Sequence, residues 1–124
     1  MPPPDLPLVD EAVLAELLAS TGDDPAFVRE LLETYLAETP DQLAAIRAAI
    51  EADDAEALVR PAHTLKSSSA TLGAMRLSAL ARELEMAGRS GSLAADAGEL
   101  LQAAVDTWAA TSEGLEVWFS GHDA

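Results

Sequence analysis

The 124-residue sequence predicts an all-α fold: an antiparallel up-and-down four-helix bundle with a short additional N-terminal covering helix. Three observations carry this. Apolar residues recur at three- and four-residue spacing along most of the chain. No stretch keeps the two-residue alternation of a half-buried strand. The composition is 49 % hydrophobic but only 4 % aromatic, which predicts a core of Ala, Leu and Val. One domain with one core fits this length.

Residues 1–8 hold four of the seven prolines and read as a stiff leader or linker remnant. The bundle is expected over 9–119, with a flexible tail at 120–124. A first helix from Asp10 to about Ser20 carries Val13, Leu14, Leu17 and Leu18 and stops at Thr21-Gly22. Asp24 then caps a second helix with Pro25 at its first position.

Thr39-Pro40 admits two readings. Thr39-Pro40-Asp41-Gln42 fits a capping box opening a new helix. The stripe Val28, Leu32, Tyr35, Leu43, Ile46 and Ile50, however, keeps its phase across the proline, with Thr39 filling the gap. An interior proline costs about 3 kcal/mol, which a long buried stripe outweighs. One helix over about 25–52, bent at Pro40, is therefore favoured.

Asp53 or Asp54 caps the next helix, which runs through Pro61 to Gly73 with Leu58, Ala62, Leu65, Ser69 and Leu72 inward. Met75 to about Arg89 follows, with Leu77, Leu80, Ala81 and Leu84 inward and Gly88, Ser90 and Gly91 as the stop. From Ser92 a last helix places Leu93, Ala97, Leu100, Ala104, Trp108, Thr111, Leu115 and Trp118 on one face.

Composition excludes several functions. Without cysteine there is no disulfide, thiolate chemistry or Cys-based zinc site. No apolar run has the length of a membrane span, and the N-terminus lacks the layout of a signal peptide, so a soluble, cytoplasmic protein is expected. Two distant histidines and no Glu-x-x-His pair argue against zinc or di-iron sites. No P-loop or kinase Gly-rich loop offers an ATP site.

A net charge of −15 speaks against nucleic acid and anionic membrane as partners. The charge is uneven. Residues 60–89 carry Arg60, Lys66, Arg76, Arg82 and Arg89 against Glu83 and Glu85, a net of +3, while the rest carries two arginines against 20 acids, a net of −18. That local excess suits an anion such as phosphate.

It surrounds His63, the only histidine outside the C-terminal tail, one turn before Lys66, the only lysine. On a helix His63, Lys66, Ser67 and Ala70 share a stripe well away from the leucine stripe. The core takes the leucines and His63 faces water. Helices meeting near Gly73-Ala74 pair positions summing to about 148, which sets Glu85 opposite His63. A carboxylate there accepts from Nδ1–H and leaves the Nε2 lone pair free. The alternative partners of Glu85 are its own helix neighbours, Arg82 or Arg89. Neutral imidazole is a competent nucleophile near pH 7 without a general base, and Lys66 can balance phosphoryl charge, by about 1 kcal/mol at an exposed position.

His63-Thr-Leu-Lys66-Ser-Ser-Ser-Ala70-Thr-Leu-Gly73-Ala resembles the signature of histidine-containing phosphotransfer (HPt) domains, His-x-Leu-Lys-Gly-Ser-Ser followed by small residues and Leu-Gly. The likeness continues through Arg76–Glu85. Ser67 stands where the family usually has glycine.

The resemblance implies a bundle of this kind and a phosphorelay intermediate. His63 would accept a phosphoryl group from the aspartate of one receiver domain and transfer it to the aspartate of another. The receivers would belong to response regulators or a hybrid histidine kinase and would supply Mg²⁺; the chain itself would bring no cofactor or metal and would be a carrier rather than an enzyme. In the family, Gln or Glu often occupies the position of Glu85, and the first helix and the start of the second meet the receiver. Leu14, Leu17 and Leu18 are therefore the apolar docking candidates, some of them expected to stay exposed beside the site, with Ser67 and Ala70 on the approach. The alternative is a phosphotransfer-inactive helical adaptor that only binds partner proteins. Ser67 and Pro61 favour it; His63 and Lys66 count against it.

Overall fold

The computed structural model describes residues 6–93 and 95–122, apart from the side chain of His122. Five helices account for the regular structure among the described residues: α1 (Glu11–Ser20), α2 (Pro25–Glu51), α3 (Ala55–Thr71), α4 (Met75–Arg89) and α5 (Ala97–His122). No strand occurs among the described residues. Aspartates start three of the helices. Asp10 accepts from Ala12 N–H at 3.1 Å, Asp24 from Ala26 and Phe27 N–H at 3.1 and 3.3 Å, and Asp54 from Ala57 N–H at 3.1 Å. Each such cap stabilises its helix by about 1 kcal/mol relative to alanine.

Both interior prolines are accommodated without a break. α2 runs through Pro40, and α3 through Pro61. Pro40 lies on the exposed side of α2, while Val28, Leu32, Tyr35, Thr39, Leu43 and Ile46 are buried on the other. Thr39 fills the gap in that stripe at 1 % exposure by donating its hydroxyl to Tyr35 O at 2.7 Å. Ile50 is only half-buried, and Ala49 takes the last inward place.

α5 begins at Ala97 rather than Ser92. Ser90 Oγ donates in the turn, to Ala87 O and Ser92 O, and Gly91 sits at φ 84°, so the backbone before Leu93 turns instead of entering a helix. Leu93 still packs against the core, but from this turn. At the other end α5 continues to His122, so Ser120 and Gly121 are helical rather than a tail. Trp118 and Phe119 anchor that last stretch, both buried, with ring centroids 4.9 Å apart. Residues 123 and 124 lie outside the described residues, as do 1–5 of the expected leader. Residues 6–10 are tied to the α3–α4 turn. Arg76 Nε donates to Leu6 O at 2.8 Å, Arg76 N to Pro7 O at 3.1 Å, and Asp10 N to Gly73 O at 2.8 Å.

Each long helix packs against the next, and α5 closes onto α2. Leu32, Ile46, Leu58, Leu65, Leu77, Leu84 and Leu115 are fully buried between them, each contributing about 1.5–3 kcal/mol of transfer free energy. Two glycines set the α3–α4 hairpin. Gly73 takes φ 75° in the turn, where a Cβ would stand 2.7 Å from Asp10 O; Gly88 lets α4 approach Ala55 and Val59 of α3. No described helix is long and apolar enough to cross a membrane.

Candidate functional site

Burial fixes which way the signature helix faces. Leu58, Ala62 and Leu65 are fully buried on α3, which leaves His63 outward with 53 % of its side chain exposed. Across the hairpin Leu84 and Ala81 enter the core, and Glu85 follows them to 4 % exposure. Ser78 Oγ donating to Lys66 O at 2.9 Å helps hold the two helices in register.

Glu85 is the hub. Its Oε2 lies 3.0 Å from His63 Nδ1, and the same oxygen accepts from Arg89 Nε and Nη2 at 2.9 and 2.7 Å. Its Oε1 lies 2.7 Å from Lys66 Nζ. Lys66 chiefly, and then Arg89 and His63, hold the carboxyl down to a pKa of about 2 against the opposing effect of burial. An ionised carboxylate can only accept. Nδ1 is therefore the protonated nitrogen of neutral His63, and the Nε2 lone pair is left at the exposed edge of the ring.

The structure thus brings His63, Lys66 and Glu85 together and adds Arg89 to them. Glu85 is buried rather than a surface residue, and it pairs across the hairpin with His63 and Lys66 and on its own helix with Arg89. Arg89 carried a signal in the sequence, its i,i+4 spacing from Glu85. Nothing in that spacing shows that the shared carboxylate is buried.

Ser67 is exposed on α3, its carbonyl accepting from Thr71 Oγ1 at 3.0 Å, and Ala70 is half-buried. The neighbouring serines are structural. Ser68 Oγ donates to Thr64 O at 3.0 Å, and Ser69 Oγ pairs with Tyr35 OH at 2.7 Å inside the core. Burial there pushes the Tyr35 hydroxyl up to a pKa of about 12.

Of the α1 leucines offered as docking candidates, Leu14 departs from the sequence reading. Leu14 is fully buried and offers nothing to a partner; Leu17 and Leu18 are half-buried. α1 sends Leu14 into the core and packs Leu17 and Leu18 against its edge, each still partly exposed. Its start is bonded to Gly73, ten residues beyond His63, or about 15 Å along a helix axis. Among the described residues, the large apolar side chains that remain exposed are Phe27, Met86 and Val117. No group of three His, Cys, Asp or Glu positioned to hold a metal occurs among the described residues.

No curated protein gives a match. The chain is similar to the crystal structure of histidine-containing phosphotransfer protein B (HptB) from Pseudomonas aeruginosa PAO1, with a TM-score of 0.80 and 30 % sequence identity over 92 % of this chain and 96 % of that one. The Hpt domain family model matches residues 30–111, a span that contains the whole His63, Lys66, Glu85 and Arg89 cluster. The chain belongs to the Hpt domain family.

Proposed function

We propose that this protein is a phosphorelay intermediate that carries a phosphoryl group on His63 between receiver-domain aspartates. One observation carries the reading: an exposed imidazole whose Nδ1–H is held by a buried, ionised carboxylate. In the accepting step the Nε2 lone pair forms the N–P bond while the P–O bond of the receiver's acyl phosphate breaks, and the receiver keeps its carboxylate. The Nδ1 proton stays on the ring, where Glu85 stabilises the positive charge that develops. Passing the group on reverses these bond changes at a second aspartate.

Lys66 supplies counter-charge to the phosphoryl oxygens, and Glu85 orients the ring. The receiver, a domain of a response regulator or hybrid histidine kinase, brings Mg²⁺ and approaches over the exposed face of α3 that holds Ser67, with Ala70 at its edge. The protein acts in the cytoplasm as a carrier without an ATP site. The architecture behind this reading is an antiparallel up-and-down four-helix bundle with α1 covering one end.

The test is incubation with a phosphorylated receiver. Acid-labile, base-stable label should appear on the wild type and vanish in His63→Gln. That variant should melt within about 0.5 kcal/mol of the wild type, because the side chain lies outside the core. Label that survives the substitution, on His122 for example, would refute the assignment. Binding of the receiver without any label would favour the adaptor reading.

A further inference from the structure

The carboxylate of Glu85 serves more donors than an imidazole needs. Oε2 is approached by His63 Nδ1 at 3.0 Å, Arg89 Nε at 2.9 Å and Arg89 Nη2 at 2.7 Å, and Oε1 by Lys66 Nζ at 2.7 Å. Three N–H groups on one oxygen compete for its lone pairs, so each bond is weaker than it would be alone. The partners also differ in freedom. Arg89 keeps 59 % of its side chain exposed and Lys66 31 %, against 5 % for Glu85. Either cation can leave the carboxylate while remaining hydrated; Glu85 cannot follow.

Charge gives them a reason to leave. With a neutral imidazole, Lys66, Arg89 and Glu85 leave one uncompensated positive charge. A phosphoryl group on Nε2 would bring up to two negative charges and three strong acceptor oxygens to the ring edge beside this cluster. Guanidinium recognises such oxygens better than a single carboxylate oxygen shared with the His63 Nδ1–H, because its fork can engage two of them. Among the described residues no ionic partner of Glu85 comes from α2 or α5, so the exchange is confined to the α3–α4 hairpin.

We propose, resting on the phosphotransfer reading above, that Arg89 is a second phosphate-binding side chain, held on Glu85 in the unmodified protein and released with Lys66 to the phosphoryl oxygens once Nε2 carries them. Glu85 then keeps one partner, the Nδ1–H of His63, and that bond tightens. Arg89 also withdraws from the open cleft it lines with Asp53, Asp54, Glu56 and Val59. The cleft becomes more acidic when His63 is phosphorylated.

The experiment phosphorylates the full chain with phosphoramidate and uses no receiver. Nε2 forms the N–P bond as the P–N bond of the donor breaks and ammonia leaves. Two-dimensional ¹⁵N NMR follows the Arg89 Nε–H, and ³¹P NMR follows the lifetime of phospho-His63. The Arg89 Nε–H resonance should move on phosphorylation. Arg89→Gln should shorten the phosphoryl half-life about threefold, Arg89→Lys should restore most of it, and both should melt close to the wild type. An unmoved Arg89 resonance, or an unchanged half-life in Arg89→Gln, overturns the proposal. Because phosphoramidate bypasses receivers, these outcomes bear on Arg89 alone. A receiver that failed to label His63 would refute the relay and leave the exchange standing.

Discussion

Gly88 of α4 lies against Val59 of α3 so closely that a Cβ on Gly88 would stand 2.9 Å from Val59 Cγ2 and 2.9 Å from Ala55 O. The valine methyl can rotate away; the carbonyl belongs to the first turn of α3 and cannot. Gly88→Ala should therefore lower stability by about 1–2 kcal/mol despite alanine's better helix propensity. Denaturant titration measures this. The same helix separation sets the distance from His63 to Glu85, one turn away on each helix, so phosphotransfer should slow as well. A variant as stable as the wild type would mean the hairpin can open there at no cost.

Glu85 gives the protein an acid-sensitive element with a defined sign. Its folded pKa is depressed to about 2 from an ordinary 4.5. The stabilisation is present above the ordinary value and is lost as pH falls through the folded one. Unfolding free energies of the wild type and Glu85→Gln, compared from pH 6 to pH 2, should differ most at the upper end and converge below about 4.5. A gap that stays constant across that range would show that ionisation of Glu85 is not what stabilises the hairpin.

Ser67 lies on the exposed face of α3, one turn after His63. Its hydroxymethyl stands in the path of a receiver descending on the imidazole. Ser67→Gly should speed phosphotransfer while costing up to about 1 kcal/mol of helix stability. Stopped-flow transfer and thermal melts measure the two effects separately. Slower transfer would instead identify the hydroxyl as a phosphate contact.

Leu14 separates packing from docking. It is fully buried, so Leu14→Ala should destabilise the protein by about 2–4 kcal/mol. Transfer rates measured well below the melting transition should be unchanged. Slower transfer without loss of stability would return α1 to the receiver interface.

The sequence carried the α3–α4 pairing because both helices are regular and meet at a fixed turn. Counting outward from Gly73 is enough to set Glu85 opposite His63. Continuity through Pro40 was legible for a related reason: a stripe that holds its phase demands one helix axis. The start of α5 was not legible. Leu93 fits the helical period, and only the hydrogen bonds of Ser90 and the conformation of Gly91 show the chain still turning. The fate of Leu14, Leu17 and Leu18 depends on what α1 packs against, which periodicity along a single helix does not contain. Arg89 was visible as a neighbour of Glu85, but its weight comes from a carboxylate buried by another helix.

The strap formed by residues 6–10 has a mechanical consequence. Its bonds run from Leu6 and Pro7 to Arg76 and from Asp10 to Gly73, so a pull on the chain upstream is borne by the α3–α4 turn before it reaches α1. An attachment at the N-terminus, whether to a bead, a surface or a fused protein, would load the turn from which the spacing of His63 and Glu85 is counted. Tension applied there would test the geometry of the phosphoryl-carrying hairpin directly, with α1 as a bystander.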